Sequence, residues 1–270
     1  MGSRMIIYKS AAELETMRQS SRIVAVVLGE LEPLIQPGIR TRDLDLYAEK
    51  RTRELGAVPA FKGYRGYPAS VCISVNEEII HGIPSGRILQ EGDIVSLDFG
   101  VLYEGFFSDS ALTAPVGRTG PEALKLIAAA ERSFFKGLEQ MKEGNRLSDI
   151  SAAVQQSVES EGFSVIRQFI GHGVGRALHE EPQVPNFGAP GRGPKIRPGM
   201  TLAIEPMIAA GGYEVEILED GWTAVTRDRS LSAHFEHTVA MTENGPEILS
   251  VRTPAAARPR PSLLKETPHV

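Results

Sequence analysis

Two histidines stand seven positions apart in the segment GHGVGRALHEEP, residues 171–182. They are His172 and His179, and the chain of 270 residues has only six histidines. Glycines at positions 171, 173 and 175 predict an extended or looped backbone that approaches a site closely, rather than a helix. Imidazoles held there are candidates for binding a metal ion or a substrate. Taken alone, each of these two histidines could instead have a structural role, and the same is true of His81.

Four acidic residues lie in or beside segments that alternate between apolar and other residues. Asp98 lies in EGDIVSLDFG and Glu205 in RPGMTLAIEP, while Asp109 opens DSALTAPVG and Glu236 opens EHTVAMTENG. Converging carboxylates repel one another unless they are paired, protonated or bound to metal. Two divalent cations would balance the four charges, and one imidazole would complete an oxygen-rich site suited to Mn, Fe(II), Co or Zn. The chemistry expected of such a pair of ions is hydrolysis of an amide or ester.

The secondary structure that must position these residues is predicted to occur twice. A helix begins after Ser10, where Ser10 and Glu13 form a capping box, and a second helix begins at Thr41. Two strand segments follow, SVCISVN and DIVSLDFG. The same order recurs from Thr119, where Thr119 and Glu122 are expected to form another capping box.

A shift of 106 positions aligns the two copies, pairing Gly38 with Gly144, Arg40 with Arg146, Asp43 with Asp149, Leu44 with Ile150 and Gly56 with Gly162. The strand segments place Asp98 over Glu205 and Asp109 over Glu236, and HGIP at 81 resembles HEEP at 179. We therefore predict one domain over residues 1–252, made of pseudo-repeats at about 10–117 and 119–249. Duplicated halves usually face each other, so the carboxylates are expected to meet in one cleft.

Composition restricts the function further. The net charge of −5 gives no basic field for nucleic acid, and the single cysteine, Cys72, excludes an intramolecular disulfide framework and fits a reducing compartment. Neither a signal peptide nor a membrane span is predicted, which indicates a cytoplasmic protein. Residues 253–270 contain four prolines and few apolar groups, so a disordered tail is expected there.

Five segments of the sequence resemble the motif blocks of the type I methionine aminopeptidases in their short bacterial form. They are GYRGYPASVCISVNEEIIHGIP, GDIVSLDFGVLYEGFFSDSA, GHGVGRALHEEPQV, PGMTLAIEPM and DGWTAVTRDRSLSAHFEHTV, within residues 5–252. The resemblance implies the α/β pita-bread fold, with two pseudo-symmetric halves around a dinuclear metal centre. It agrees with the duplication found from the residues themselves.

The same resemblance implies roles for individual residues. Asp98 is expected to bind one metal ion, Asp109 and Glu236 to bridge the two ions, and His172 and Glu205 to bind the other. His81 and His179 are expected to contact the scissile peptide, and Glu205 to shuttle a proton. The pocket for the methionine side chain would be lined by Tyr64, Tyr67, Cys72 and Trp222, although core packing is a rival interpretation for these aromatics.

The implied activity is removal of the initiator methionine from peptides and nascent chains whose second residue is small, through attack by metal-activated water. The partner would be the N-terminus of a peptide or nascent chain, with work at the ribosome implied, and the chain is expected to be a monomer. Two positions depart from the family pattern, Leu178 and His234, and His234 is given a structural role.

Two rival functions remain open at this point. One is a prolidase or a proline-specific aminopeptidase, which shares the HG and HE motifs and the same metal ligands. The other is a metal-free binding protein on the same fold. HFEHT around Glu236, and DGWT before it, favour the methionine class.

Overall fold

A computed structural model describes residues 5–252. The segment 253–270, for which the sequence predicts a disordered tail, lies outside the described residues. The helices are α1 (Ala11–Leu31), α2 (Thr41–Glu54), α3 (Pro121–Leu138) and α4 (Leu147–Ser160). The strands are β1 (Val58–Pro59), β2 (Val71–Val75), β3 (Glu78–Ile80), β4 (Ile94–Tyr103), β5 (Phe106–Pro115), β6 (Ser164–Val165), β7 (Gly171–Gly173), β8 (Glu180–Val184), β9 (Thr201–Ile204), β10 (Met207–Ala209), β11 (Val215–Ile217), β12 (Ala224–Thr226), β13 (Ser232–His234), β14 (Glu236–Thr242) and β15 (Gly245–Ile248).

The local geometry of the two halves repeats at the spacing found in the sequence. Helices α2 and α4 each contain 14 residues, and both of their ends differ by 106 positions. Gly38 and Gly144, which precede them, have left-handed φ values of 96° and 88°. Each donates its backbone N–H to an equivalent carbonyl, that of Leu89 in the first half and Ile196 in the second. Matching turns therefore introduce matching helices.

The helix starts show how far local signals decide a boundary. The capping box predicted at Ser10 and Glu13 is present at the start of α1. The one predicted at Thr119 and Glu122 is wrong, because α3 begins at Pro121 with Gly120 as its N-cap. Proline has no N–H and a fixed φ, so it is well suited to the first helical position and moves the start past Thr119.

A curled antiparallel sheet joins the halves. Within residues 5–252 it has nine strands, in the order β1-β4-β5-β14-β9-β7-β8, with β2 also pairing with β4 and β15 with β14. Strands β4 and β5 form a hairpin paired from Ile94↔Pro115 to Tyr103↔Phe106. Its turn, Glu104-Gly105, has φ values of 47° and 81°, as a two-residue hairpin turn requires.

The helices cover one side of this sheet with two adjoining apolar cores. In the first half, Leu28 and Leu44 of the helices pack with Leu97 of β4, and in the second half Phe134 packs with Leu202 of β9. Side chains alternate between the faces of a strand, so residues next to these core positions project from the other side of the sheet. That other side carries the site. Among residues 5–252, none of the helices is both long and apolar enough to cross a membrane.

Candidate metal centre and substrate cavity

Strand register places the first-half carboxylates and Glu236 on one face of the sheet. Asp98 pairs with Ala111, and Ala111 pairs on its other side with Glu236. Residues directly opposite each other in a sheet share a face. Asp109 stands two positions before Ala111 on β5, so its side chain projects from that face as well. Three carboxylates therefore converge across three neighbouring strands.

The second half brings its residues to the same face through one shared partner. His172 of β7 and Thr238 of β14 both pair with Ala203 of β9. Thr238 stands two positions after Glu236, and Glu205 stands two positions after Ala203. The side chains of all these residues therefore project from the same face of the sheet. The register thus unites the five residues for which metal binding is predicted, although they are spread over 139 positions of the chain, from 98 to 236.

The glycines around His172 are required by close packing of strands. A Cβ added to Gly171 would collide with the carbonyl oxygen of Ala203, and one added to Gly173 would collide with that of Glu181. Glycine at both positions lets β7 lie tightly between β9 and β8. The segment is extended, as the sequence predicts.

Short distances and deep burial define the centre. The Nε2 atom of His172 lies 3.6 Å from Oδ2 of Asp109 and 3.4 Å from Oε1 of Glu205. Ligand atoms of Asp109, His172 and Glu236 all lie within 4.8 Å of one another. All five side chains are buried, and Glu236 is only 2% exposed. Water therefore screens little of the repulsion among them.

Burial and mutual repulsion shift the ionisation of these groups. Burial, with a contribution from Asp109, raises the pKa of Asp98 well above its ordinary value. Burial and neighbouring carboxylates likewise raise the pKa of Glu205 and of Glu236. Burial lowers the pKa of His172 to about 4, so its imidazole is neutral at pH 7.

This set of donors fits divalent cations. Carboxylate oxygens and a neutral imidazole are the ligands that such ions take, and bonds of about 2.0–2.2 Å allow one ion to reach several atoms that lie within 4.8 Å of one another. Positive charge there would offset the repulsion that raises the carboxyl pKa values. Bound cations would therefore stabilise the ionised carboxylates, which repel one another in the metal-free protein.

A cavity of about 180 Å³ opens directly above the carboxylates. All eleven residues assigned to the site from the sequence line it: His81, His179 and Trp222, the aromatic and thiol residues Tyr64, Tyr67 and Cys72, and the five metal-binding candidates Asp98, Asp109, His172, Glu205 and Glu236. An apolar cavity of roughly 150 Å³ accommodates benzene, so this one has room for a single unbranched side chain.

His81 and His179, one from each half, also line the cavity. His81, at the end of β3, has a left-handed φ of 62° and packs edge-on against Phe169 and Trp222. His179 lies with its ring centroid 4.2 Å from that of His172. Burial lowers the pKa of both, that of His179 to about 4, so both are neutral imidazoles at pH 7. Each then has one nitrogen that donates and one that accepts a hydrogen bond.

The aromatic residues for which a role in the substrate pocket is predicted line the cavity. Tyr67 is buried, meets Trp222 edge-on with centroids 5.2 Å apart, and donates its hydroxyl to the carbonyl of Gly82. Trp222 also lies in the β11–β12 turn, where its N–H donates to Asp220. Trp222 therefore belongs both to a hairpin turn and to the lining of the cavity.

Sequence reasoning missed several residues of this site. Phe61, Arg65, Ile80, Phe169 and Ile170 also line the cavity. Ile80 stands one position before His81 and Ile170 two positions before His172, and that proximity was the available signal.

His234 is the more informative omission. It is 1% exposed, its Nε2 lies 3.8 Å from Oε2 of Glu205, and both of its ring nitrogens lack a hydrogen-bond partner within residues 5–252. A buried polar group without a partner is uncommon and points to a role beyond packing. Its position two residues before Glu236 in the segment HFEHT was the signal that could have identified it.

Solved structures share this architecture at two levels of similarity. The crystal structure of a methionine aminopeptidase from Thermotoga maritima matches with a TM-score of 0.90 and 48% identity, covering 91% of this chain and 99% of that one. The prolidase from Pyrococcus furiosus matches with a TM-score of 0.76 at 22% identity, covering 92% of this chain and 66% of that one. At 22% identity, the match to the prolidase shows only that the two proteins share a fold. The predicted pita-bread fold is confirmed.

Sequence comparison separates the two classes of peptidase. Residues 15–243 match the profile of metallopeptidase family M24. The methionine aminopeptidase of Clostridium perfringens is 54% identical over 92% of this chain and 99% of its own. Methionine aminopeptidase 1 of Bacillus subtilis is 52% identical, over 91% and 99% respectively. The chain belongs to metallopeptidase family M24 and, within it, to the methionine aminopeptidases.

Proposed function

We propose that this chain is a metal-dependent methionyl aminopeptidase that removes the N-terminal methionine from peptides and nascent proteins whose second residue is small. The observation that carries the proposal is the single cavity that joins carboxylates and a neutral imidazole on its floor to aromatic residues on its wall. The floor suits metal-assisted hydrolysis, and the wall suits a flexible thioether side chain.

The proposed cofactor is a pair of divalent ions, drawn from Co, Mn, Fe(II) and Zn. Asp98 would hold one ion, His172 and Glu205 the other, and Asp109 and Glu236 would be shared between them. Bound ions supply Lewis acidity that lowers the pKa of water and polarises the scissile carbonyl. Four carboxylates balance the charge of two such ions, which supports this stoichiometry.

The protein's own groups would position the substrate and move its protons. Glu205 would accept a proton on a carboxylate oxygen and return it to the leaving amine, a role helped by the burial that raises its pKa. His81 and His179, one from each half, would contact the scissile peptide through their neutral imidazoles. Tyr64, Tyr67, Cys72 and Trp222 would enclose the methionine side chain and exclude water from it.

The setting of the reaction is also part of the proposal. Nascent chains carry the substrate, so we place the enzyme in the cytoplasm, acting as a monomer on chains emerging from the ribosome. Residues 1–252 would form the whole catalytic unit. Gel filtration and co-sedimentation with ribosomes test the oligomeric state and the ribosome contact directly.

A substrate panel tests the activity. After chelation and addition of single metals, the protein should release methionine from Met-Ala-Ser, but not from Met-Lys-Ser or from an N-acetylated Met-Ala-Ser. Turnover confined to Xaa-Pro peptides would instead assign it to the prolidase class. A protein that stays folded but binds no metal after reconstitution would instead support the alternative of a metal-free binding protein on the same fold.

A further inference from the structure

Tyr64 makes two separate contacts with His179. The two rings stack with centroids 5.3 Å apart and planes at 22°. The Tyr64 hydroxyl oxygen also lies 2.9 Å from Nδ1 of His179. The partners are 115 positions apart and belong to different halves of the molecule. A residue that only lined a hydrophobic pocket would have no need of the second contact.

The loop before β2 presents Tyr64 in a fixed conformation. Gly63, Arg65 and Gly66 have left-handed φ values of 84°, 50° and 93°. A left-handed backbone is unfavourable for arginine and is retained where the surroundings determine it. The N–H of Gly63 donates to the carbonyl of Tyr67 at 2.8 Å, which closes the loop. The phenol is thus held over His179 before any substrate arrives.

A hydrogen bond at Nδ1 decides which nitrogen of His179 carries the proton. As a neutral imidazole, the His179 ring, which packs against the ring of His172, has a single N–H. In a neutral imidazole, the partner of one nitrogen sets the state of the other. If the Tyr64 hydroxyl donates to Nδ1, the proton must be on Nε2.

We propose that Tyr64 is a positioning residue whose hydroxyl donates to Nδ1 of His179 and holds that imidazole in the tautomer protonated on Nε2. The Nε2–H then donates a hydrogen bond to the carbonyl oxygen of the scissile peptide. This inference rests on the proposed aminopeptidase function and assigns Tyr64 a task beyond lining the methionine pocket. In the other tautomer, Nε2 would present a lone pair to that oxygen and repel it.

The variant Tyr64→Phe tests the inference because it keeps the stacked ring and removes only the hydroxyl. Tyr67→Phe is the matched control. Its hydroxyl belongs to the same cavity but donates to the carbonyls of Val71 and Gly82 instead. The full chain would be labelled with ¹⁵N-histidine and loaded with diamagnetic Zn²⁺, and His179 assigned by loss of its signals in His179→Asn. Long-range ¹H–¹⁵N spectra then report which ring nitrogen is protonated.

We expect one tautomer, protonated on Nε2, in the parent enzyme and in Tyr67→Phe, and a mixture of tautomers in Tyr64→Phe. The kcat of Tyr64→Phe on Met-Ala-Ser should fall by about threefold to tenfold, the range for one neutral hydrogen bond, with KM changed by less than about twofold. A parent protonated on Nδ1 would overturn the inference. So would a Tyr64→Phe variant with an unchanged tautomer, or one in which only KM changes.

Failure of the proposed function would look different. A parent enzyme that releases no methionine from Met-Ala-Ser with any metal would refute the aminopeptidase activity itself. The ¹⁵N spectra require no turnover, so the tautomer of His179 is measured in either case. An active parent with the wrong tautomer refutes the inference alone.

Discussion

The two halves of the molecule share a scaffold but build their parts of the site differently. In the first half, one hairpin of two ten-residue strands carries both Asp98 and Asp109. In the second half, Glu205 follows the four-residue strand β9, and Glu236 begins the separate strand β14. The duplicated scaffold therefore supplies four carboxylates in matching places, on very different lengths of strand.

The imidazole proposed as a metal ligand comes from a difference between the halves. Ser96 and Ala203 stand two positions before Asp98 and Glu205, and their strand partners are Ser74 and His172. Ser74 and His172 are thus equivalent. Ser74 accepts a hydrogen bond from the backbone of Gly82, a purely structural contact, whereas His172 faces the carboxylates. Duplication therefore explains the four carboxylates that line the cavity, and divergence between the two halves explains the imidazole beside them.

The largest expected effect comes from removing the equivalent carboxylates Asp109 and Glu236, one from each half. Either substitution, Asp109→Ala or Glu236→Ala, should lower kcat/KM on Met-Ala-Ser by more than about a thousandfold, because metal Lewis acidity contributes several kcal/mol to such reactions. Metal content per chain measures the cause directly. Without metal, each variant should unfold at or above the parent's temperature, since a buried like charge is gone. A variant retaining a tenth of the activity would break the equivalence of the two carboxylates.

A smaller effect is expected at His234, where the halves differ again. Its counterpart two positions before Asp109 is Phe107, so at this position the second half, unlike the first, places an imidazole beside a carboxylate. His234→Leu should cost about tenfold to a hundredfold in activity or metal affinity, as loss of a group that orients a ligand does. His234→Gln keeps an N–H donor and should recover most of both. Titration calorimetry with Mn²⁺ gives the affinity, and equal behaviour of Leu and Gln would exclude an orienting hydrogen bond.

Metal-free and metal-loaded protein should respond to pH in different ways. The raised pKa values of Asp98, Glu205 and Glu236 stabilise the metal-free fold at low pH, and this stability is lost as pH rises above their unfolded values toward the folded ones. The lowered pKa of His172 changes the stability of the fold only below about pH 6.5, the value of an unperturbed histidine. Between about pH 6.5 and 8 the carboxyls therefore act alone.

In that window the melting temperature of chelated protein should fall with rising pH. A difference of one proton changes the free energy of unfolding by about 1.4 kcal/mol per pH unit, or the melting temperature by roughly 3–6 °C for a chain of this size. Metal-loaded protein should show no such slope, because its carboxylates are already ionised. Differential scanning calorimetry at several pH values measures both, and parallel slopes would contradict the assignment of the carboxylates to a metal site.

The smallest effect tests whether the scaffold itself is equivalent in the two halves. Gly38 and Gly144 have similar left-handed φ values, and a Cβ added at either would meet nothing within 4 Å. Gly38→Ala and Gly144→Ala should each cost only backbone strain, about 1 kcal/mol, and lower the melting temperature by roughly 2–4 °C. A much larger loss for one of them would show that the turns before α2 and α4 support their halves unequally.

Much of the fold follows from local patterns in the chain. The capping box at Ser10 and the matched glycines at positions 38 and 144 were predictable because caps and turns depend on residues a few positions apart. The alternation of apolar residues likewise predicts which strand positions face the helices. The boundary at Thr119 was mispredicted because Gly120 and Pro121 compete with it over the same short range.

The sequence by itself determined the residue types of the site, the duplication that brackets them and the family to which the chain belongs. Tertiary structure alone decided which atoms meet: the Tyr64 hydroxyl on Nδ1 of His179, His172 between Asp109 and Glu205, and His234 beside Glu205. These contacts depend on strand register and on loops that join distant segments. The alternation of apolar residues decides which face of the sheet a side chain takes, because a shift of one residue along a strand would move every side chain to the opposite face. It does not decide which residues of distant strands lie opposite each other.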